Sequence, residues 1–231
     1  MSLVAYINAR LIDPASGLDC TGGLSTEGGR ITELGADLFA DGVPDGMEVV
    51  DCGGRVLCPG LIDMRVFVGE PGAEHKETLA SASQAAAAGG VTCIIVQPNT
   101  DPVIDEVALV EYVKRQARDK AVVRIHPMAA ITKGLAGEQM AELGLLAEAD
   151  AVAFTDADRT VAKAQVMRRV LSYASAFNLL ICHYPEEPSL AGSGVMNAGE
   201  IAMRLGLPGI PTQAETIMVE RDLRLVEMTG G

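Results

Sequence analysis

From residue 61 onward, apolar stretches of strand length alternate with stretches of helical period, and this alternation constrains the fold more than any other feature of the chain. Strands are expected at residues 61–68, 91–97, 122–126, 151–155 and 179–183, and helices at 77–88, 106–118, 137–147 and 161–177. Strands separated by helices pair in parallel through right-handed crossovers. After residue 183 come a Pro/Glu/Gly-rich loop and two helical stretches, 197–205 and 213–228, with no sixth strand. A closed (β/α)8 barrel needs eight strands, so the pattern leaves an open five-stranded α/β sheet or an incomplete barrel. An open doubly wound sheet would normally carry a Gly-rich phosphate turn after its first strand. Here that turn is Gly69-Glu70-Pro71-Gly72, which lacks the spacing, and the pattern favours the incomplete barrel.

Residues 1–58 read differently: short strands at 4–11, 29–34 and 47–56, a loop at Asp13-Pro14, and frequent Gly and Pro punctuation. The expected organisation is a small β layer over 1–58 and an α/β region over 59–231. The formal charge of −13 argues against nucleic acid or an anionic membrane as the main partner. Five cysteines, an odd number without a C-x-x-C pair, suggest neither a disulfide framework nor a zinc knuckle and fit a reducing cytoplasm. No apolar run approaches the ~20 residues of a membrane span.

The segment Pro59-Gly60-Leu61-Ile62-Asp63-Met64-Arg65-Val66-Phe67-Val68-Gly69-Glu70-Pro71-Gly72 holds the chemical question. On a strand, residues i and i+2 face the same side, so two histidines at that spacing can grip one metal ion. Arg65 and Phe67 cannot, because guanidinium only donates and phenyl has no lone pair. If this strand lines a barrel mouth, a cation is built into the chain where a bound one would sit.

The segment resembles the first barrel strand of dihydroorotases, cyclic amidohydrolases in which it carries His-x-His followed two residues later by Arg. The resemblance runs through His75-Lys76-Glu77-Thr78, Ala88-Gly89-Gly90-Val91-Thr92, Pro98-Asn99-Thr100, Ile131-Thr132-Lys133-Gly134, Ala153-Phe154-Thr155-Asp156, Gly194-Val195-Met196-Asn197, Gly206-Leu207-Pro208-Gly209-Ile210-Pro211 and Glu220-Arg221-Asp222-Leu223-Arg224. It implies the N-terminal part of a β-sandwich at 1–58 and the N-terminal part of a (β/α)8 amidohydrolase barrel of TIM type at 59–231. It also implies a metal-activated water that interconverts carbamoyl-aspartate and dihydroorotate in pyrimidine synthesis. The carried-over site is depleted. Arg65, Phe67 and Gly69 occupy the two histidine slots and the arginine that clamps substrate carboxylate. Asn99 matches a substrate-binding residue, Asp156 a metal-bridging carboxylate and His183 a metal-binding histidine.

Read without the resemblance, His183 is a satisfied buried histidine and Asp156 caps the following helix. His75 and His126 are structural or surface residues, and Lys133 makes a surface contact. Cys182 is expected to face away from His183 by strand alternation. One geometry is suggested by position: Arg65 pairs with Asp156 in place of the lost metal charge.

The leading functional expectation is a dihydroorotase-like protein without catalytic activity, cofactor-free, that serves as a structural partner of aspartate transcarbamoylase. The alternative is an active cyclic amidohydrolase with a zinc site rebuilt or completed elsewhere. Three missing strands would expose an open edge, so a longer polypeptide or another chain, in a homo-oligomer or hetero-oligomer, is expected to cover it.

Overall fold

The computed structural model describes residues 3–231, in two compact units that divide at Gly60. In the first, β1 (Leu3–Asp13) pairs antiparallel with β2 (Leu18–Glu27), which pairs with β3 (Arg30–Gly35). The other edge of β1 takes β4 (Glu48–Asp51) and then β5 (Val56–Leu57) in parallel. The β1–β2 turn is local chemistry: the Asp13 carboxylate accepts hydrogen bonds from Ala15 N–H at 3.2 Å and the Ser16 hydroxyl at 2.6 Å. Strand β2, which carries Gly22-Gly23, is absent from the expected pattern. Its glycines serve close approach, since a Cβ on Gly22 would lie 2.7 Å from Ala36 Cα and overlap the Gly35 carbonyl.

The second unit contains a parallel sheet of β6 (Leu61–Val66), β7 (Val91–Val96) and β8 (Arg124–Pro127), crossed by α1 (Leu79–Ala88) and α2 (Val107–Lys120). The fourth and fifth expected strands are shorter than predicted and survive as single parallel bridges, Ala129 to Phe154 and Phe154 to Ile181. Backbone bonds from Ala129 N–H to Ala153, Thr155 N–H to Ala129 and Cys182 N–H to Phe154 carry the pairing past β8. Spatial order thus follows chain order across five segments without reversal. A doubly wound sheet reverses direction at a switch point; an uninterrupted sequence is an arc of a barrel, which decides between the two architectures left open by the pattern.

Beyond the arc lie α3 (Leu143–Glu148), α4 (Ala164–Phe177), α5 (Pro188–Ala191), α6 (Glu200–Leu205) and α7 (Gln213–Thr229). The two-residue strands β9 (Met196–Asn197) and β10 (Gly209–Ile210) pair only with each other. Helix α3 falls short of the expected 137–147 because Gly134 and Gly137 take positive φ and Thr132 bridges Met140, which folds the preceding residues into a turn. No helix among the described residues is long and apolar enough to cross a membrane.

Two features position the cavity that follows. Glu70, 5% exposed, accepts a 2.9 Å hydrogen bond from Leu79 N–H at the start of α1 and a 3.4 Å bond from the Tyr112 hydroxyl on α2. That carboxylate meets the positive end of the α1 dipole and ties both helices to the turn after β6. Phe154, 1% exposed, joins the third and fifth segments of the arc. Phe154→Ala is expected to cost about 3–5 kcal/mol, measurable as a lowered urea midpoint.

Candidate functional site

The concave face of the arc encloses a cavity of about 500 Å³, with Ile95, Met128 and Leu180 among its walls and Arg65, Gln97 and His183 among its polar lining. Its place at the C-terminal ends of parallel strands is where barrel chemistry resides.

Arg65 is exposed and donates from Nη2 to the Ala157 carbonyl at 3.4 Å, with its guanidinium carbon 5.8 Å from the centroid of the Tyr184 ring. It does not pair with Asp156, contrary to the expectation. The reason lies in the carboxylate's own bonds: Asp156 Oδ1 accepts from Thr132 N–H at 2.9 Å and Oδ2 from the Thr132 hydroxyl. Burial pushes the Asp156 carboxyl above the ordinary aspartate range, although the Thr132 hydrogen bonds and the nearby His183 work in the other direction. Asp156 is not a helix cap either, since α4 begins at Ala164 with Lys163 at its N-cap. It pins the turn containing Thr132, Lys133 and Gly134 against the arc.

His183 has both ring nitrogens engaged. Nε2 lies 3.0 Å from Val161 N–H, and Nδ1 lies 2.6 Å from Asp222 Oδ2 on α7. A backbone amide only donates, so Nε2 is the acceptor and carries no proton; the Nδ1–H then donates to Asp222. Arg221 completes the arrangement. Its Nε and Nη2 donate to Asp222 Oδ1 at 2.9 and 2.6 Å, and its Nη1 donates to the carbonyls of Val161 and Ala162. Burial alone would raise the Asp222 carboxyl, but hydrogen bonds to His183 and Arg221 outweigh it and hold it below the ordinary value. The result is a clasp between α7 and the 157–163 loop, with His183 at its centre.

The replaced positions have been accommodated as well. Phe67 is 44% exposed. Gly69 is buried, and a Cβ there would lie 2.9 Å from the Ala73 carbonyl carbon, overlap its oxygen and come within 3.2 Å of the Glu77 carbonyl. The turn has closed over the slot that the resemblance assigns to arginine. Asn99 keeps a buried Oδ1 without a hydrogen-bond partner among the described residues.

These residues do not fit a zinc centre. Arg65 and Phe67 have no lone pair to give, both His183 nitrogens are engaged, and both Asp156 oxygens face Thr132. Cys182 and His183 both border this cavity. No hydrogen bond joins the two among the described residues, and burial raises the thiol, which disfavours a thiolate nucleophile.

Sequence reasoning passed over Asp222 and Arg221, although both sit in a segment that carries the resemblance. A helical carboxylate thirty-nine residues from His183, with a guanidinium beside it, has no spacing rule that links it to the histidine. It also passed over Gln97, which with Ile95 lines the cavity.

The dihydro-orotase-like family model matches residues 54–231. Over 225 residues the chain is 45% identical to the dihydroorotase of Ehrlichia chaffeensis, covering 97% of this chain and 50% of that protein. It is 46% identical over 225 residues to the dihydroorotase of Wolbachia sp. subsp. Brugia malayi, with the same coverage. Among solved structures, the L-hydantoinase (dihydropyrimidinase) of Arthrobacter aurescens superposes with a TM-score of 0.79 at 20% identity, over 100% of this chain and 51% of that one. The D-hydantoinase of Thermus sp. gives 0.71 at 21% identity. The chain spans about half the length of the curated relatives it matches. Its fold is part of the amidohydrolase barrel, and the chain belongs to the dihydroorotase-like family.

Proposed function

We propose that this chain is a dihydroorotase-like protein of pyrimidine biosynthesis that performs no hydrolysis itself and acts in the cytoplasm as a structural partner of aspartate transcarbamoylase. The observation that carries the loss of chemistry is the engagement of His183: a ligand histidine needs a free lone pair, and Nε2 spends its own on Val161 N–H while Nδ1 faces Asp222. Arg65 and Phe67, at and just past the end of β6, remove the neighbouring ligands, and Gly69 removes the carboxylate clamp.

A second reading, an active dihydroorotase with zinc held by a site completed elsewhere, is favoured by about 45% identity to proteins of that name. Metal analysis separates the two. Protein purified without chelator or histidine tag is expected to hold less than about 0.1 zinc per chain, to show only background turnover of dihydroorotate, and to co-migrate with aspartate transcarbamoylase on size exclusion. About one zinc per chain together with turnover would sink the proposal; failure to co-migrate would remove the partner and leave the loss of activity standing.

A further inference from the structure

Helix α2 and strand β8 meet over a groove of about 860 Å³ that shares only Val152 with the barrel-mouth cavity. It lies beside the start of β8, at the opposite end of that strand from the mouth. Glu111, Lys114, Arg115 and Arg118 reach it from positions i, i+3, i+4 and i+7 of α2, which form one helical face. Arg124 and His126 reach it from β8, two residues apart on one strand face. Four of the chain's 18 Lys and Arg residues and one of its three histidines thus line one groove, in a chain of charge −13. The two carboxylates on its walls are both spent on one cation: Lys114 Nζ lies 2.9 Å from Glu111 and 2.7 Å from Asp150. Arg118 pairs with Asp119 at 3.1 Å and answers the negative end of the α2 dipole. Arg115, Arg124 and His126 make no ion pair among the described residues.

We propose that this groove binds a small phosphate monoester, with Arg115, Arg124 and His126 taking the phosphate and the exposed valines Val122 and Val152 taking the organic body. Guanidinium forks match phosphate oxygens in pairs. Arg115 lies over the Tyr112 ring, its guanidinium carbon 5.9 Å from the centroid, which occupies the face of the group and leaves its edge donors open. His126 offers an imidazole N–H in either tautomer. Donors that converge from a helix and a strand suit a tetrahedral dianion, whose oxygens point in several directions, whereas one fork already fills a planar carboxylate. The volume of about 860 Å³ lies in the usual range for small-molecule sites and leaves room for an organic body beside the phosphate. Cations that share a groove without counter-ions repel one another, and a bound dianion removes that repulsion. The groove's chemistry is independent of whether the barrel mouth holds metal.

The test is calorimetric titration of the full chain with phenyl phosphate, inorganic phosphate and benzoate at about pH 8, where the ester is a dianion. Phenyl phosphate is expected to bind with a Kd below about 1 mM. Inorganic phosphate should bind about 10-fold more weakly for want of the apolar contact, and benzoate, which keeps the ring but has one carboxylate, at least about 10-fold more weakly. Arg115→Met and Arg124→Met should each weaken phenyl phosphate by about 10-fold and leave the unfolding midpoint unchanged, since both residues are exposed. Arg118→Met, which removes a cation already paired with Asp119, should change the affinity by less than about 3-fold. Equal affinity for benzoate, indifference to Arg115→Met or Arg124→Met, an equal loss in Arg118→Met, or no binding of phenyl phosphate up to about 20 mM each overturns the proposal. So does a glutamate-rich peptide that binds more tightly than phenyl phosphate and displaces it, which would make the groove a docking site for an acidic protein segment.

Discussion

Gly69→Arg is expected to destabilise the second unit by at least about 3 kcal/mol, although it restores the residue type that the family resemblance places there. The clash begins at Cβ: that atom would overlap the Ala73 carbonyl oxygen and press on the Glu77 carbonyl, both of which are backbone and cannot rotate away. Gly69→Ala should therefore carry most of the penalty, and urea unfolding of the two variants should give similar midpoints, both well below wild type. A Gly69→Arg protein with a wild-type midpoint would show that the turn opens at little cost. The comparison bears on function, because a slot that refuses even a methyl group cannot regain a carboxylate clamp by one substitution. Returning histidine to positions 65 and 67 would leave the turn at 69–77 still closed.

That closure could not be read from the sequence. The replacements at 65, 67 and 69 were visible as residues, and their chemistry followed from side-chain type alone: arginine and phenylalanine cannot ligate metal. The parallel arc was legible for a similar reason, since apolar runs of strand length that alternate with helical stretches from residue 61 onward mark parallel pairing through crossovers. What the sequence hid depends on distant backbone. The two weakest segments of the arc shrink to bridges through Phe154, because pairing there is set by neighbours and not by local propensity. Asp156 has the spacing of a ligand or cap and is neither, since Thr132, twenty-four residues earlier, takes both its oxygens. Strand β2 was masked by glycines whose role is to let Gly35 and Ala36 approach.

Asp222→Ala should produce the other large effect, a loss of about 3 kcal/mol, because it strips two partners at once. The His183 Nδ1–H would lose its acceptor, and Arg221 would be left with its charge unneutralised while still tied to the carbonyls of Val161 and Ala162. The groups are largely enclosed, with side chains 10%, 17% and 21% exposed for His183, Arg221 and Asp222, so solvent does not repay the loss. Asp222→Asn should cost less, since its amide oxygen can still accept from Nδ1. The pH dependence has a definite sign. Asp222 is held below its ordinary value in the folded protein, so its contribution is full above the ordinary aspartate value of 3.8 and is lost as pH falls through the lowered one. The gap between wild type and Asp222→Asn should shrink as pH falls below 3.8. Asp156 behaves in the opposite sense: its raised value means that its ionisation weakens the fold as pH rises, so the comparison is made against the Asn variant, in which Asp156 is unchanged. Performing it with and without EDTA assigns His183. A penalty that ignores the chelator belongs to the clasp; one that appears only in metal-loaded wild type would return His183 to a metal site.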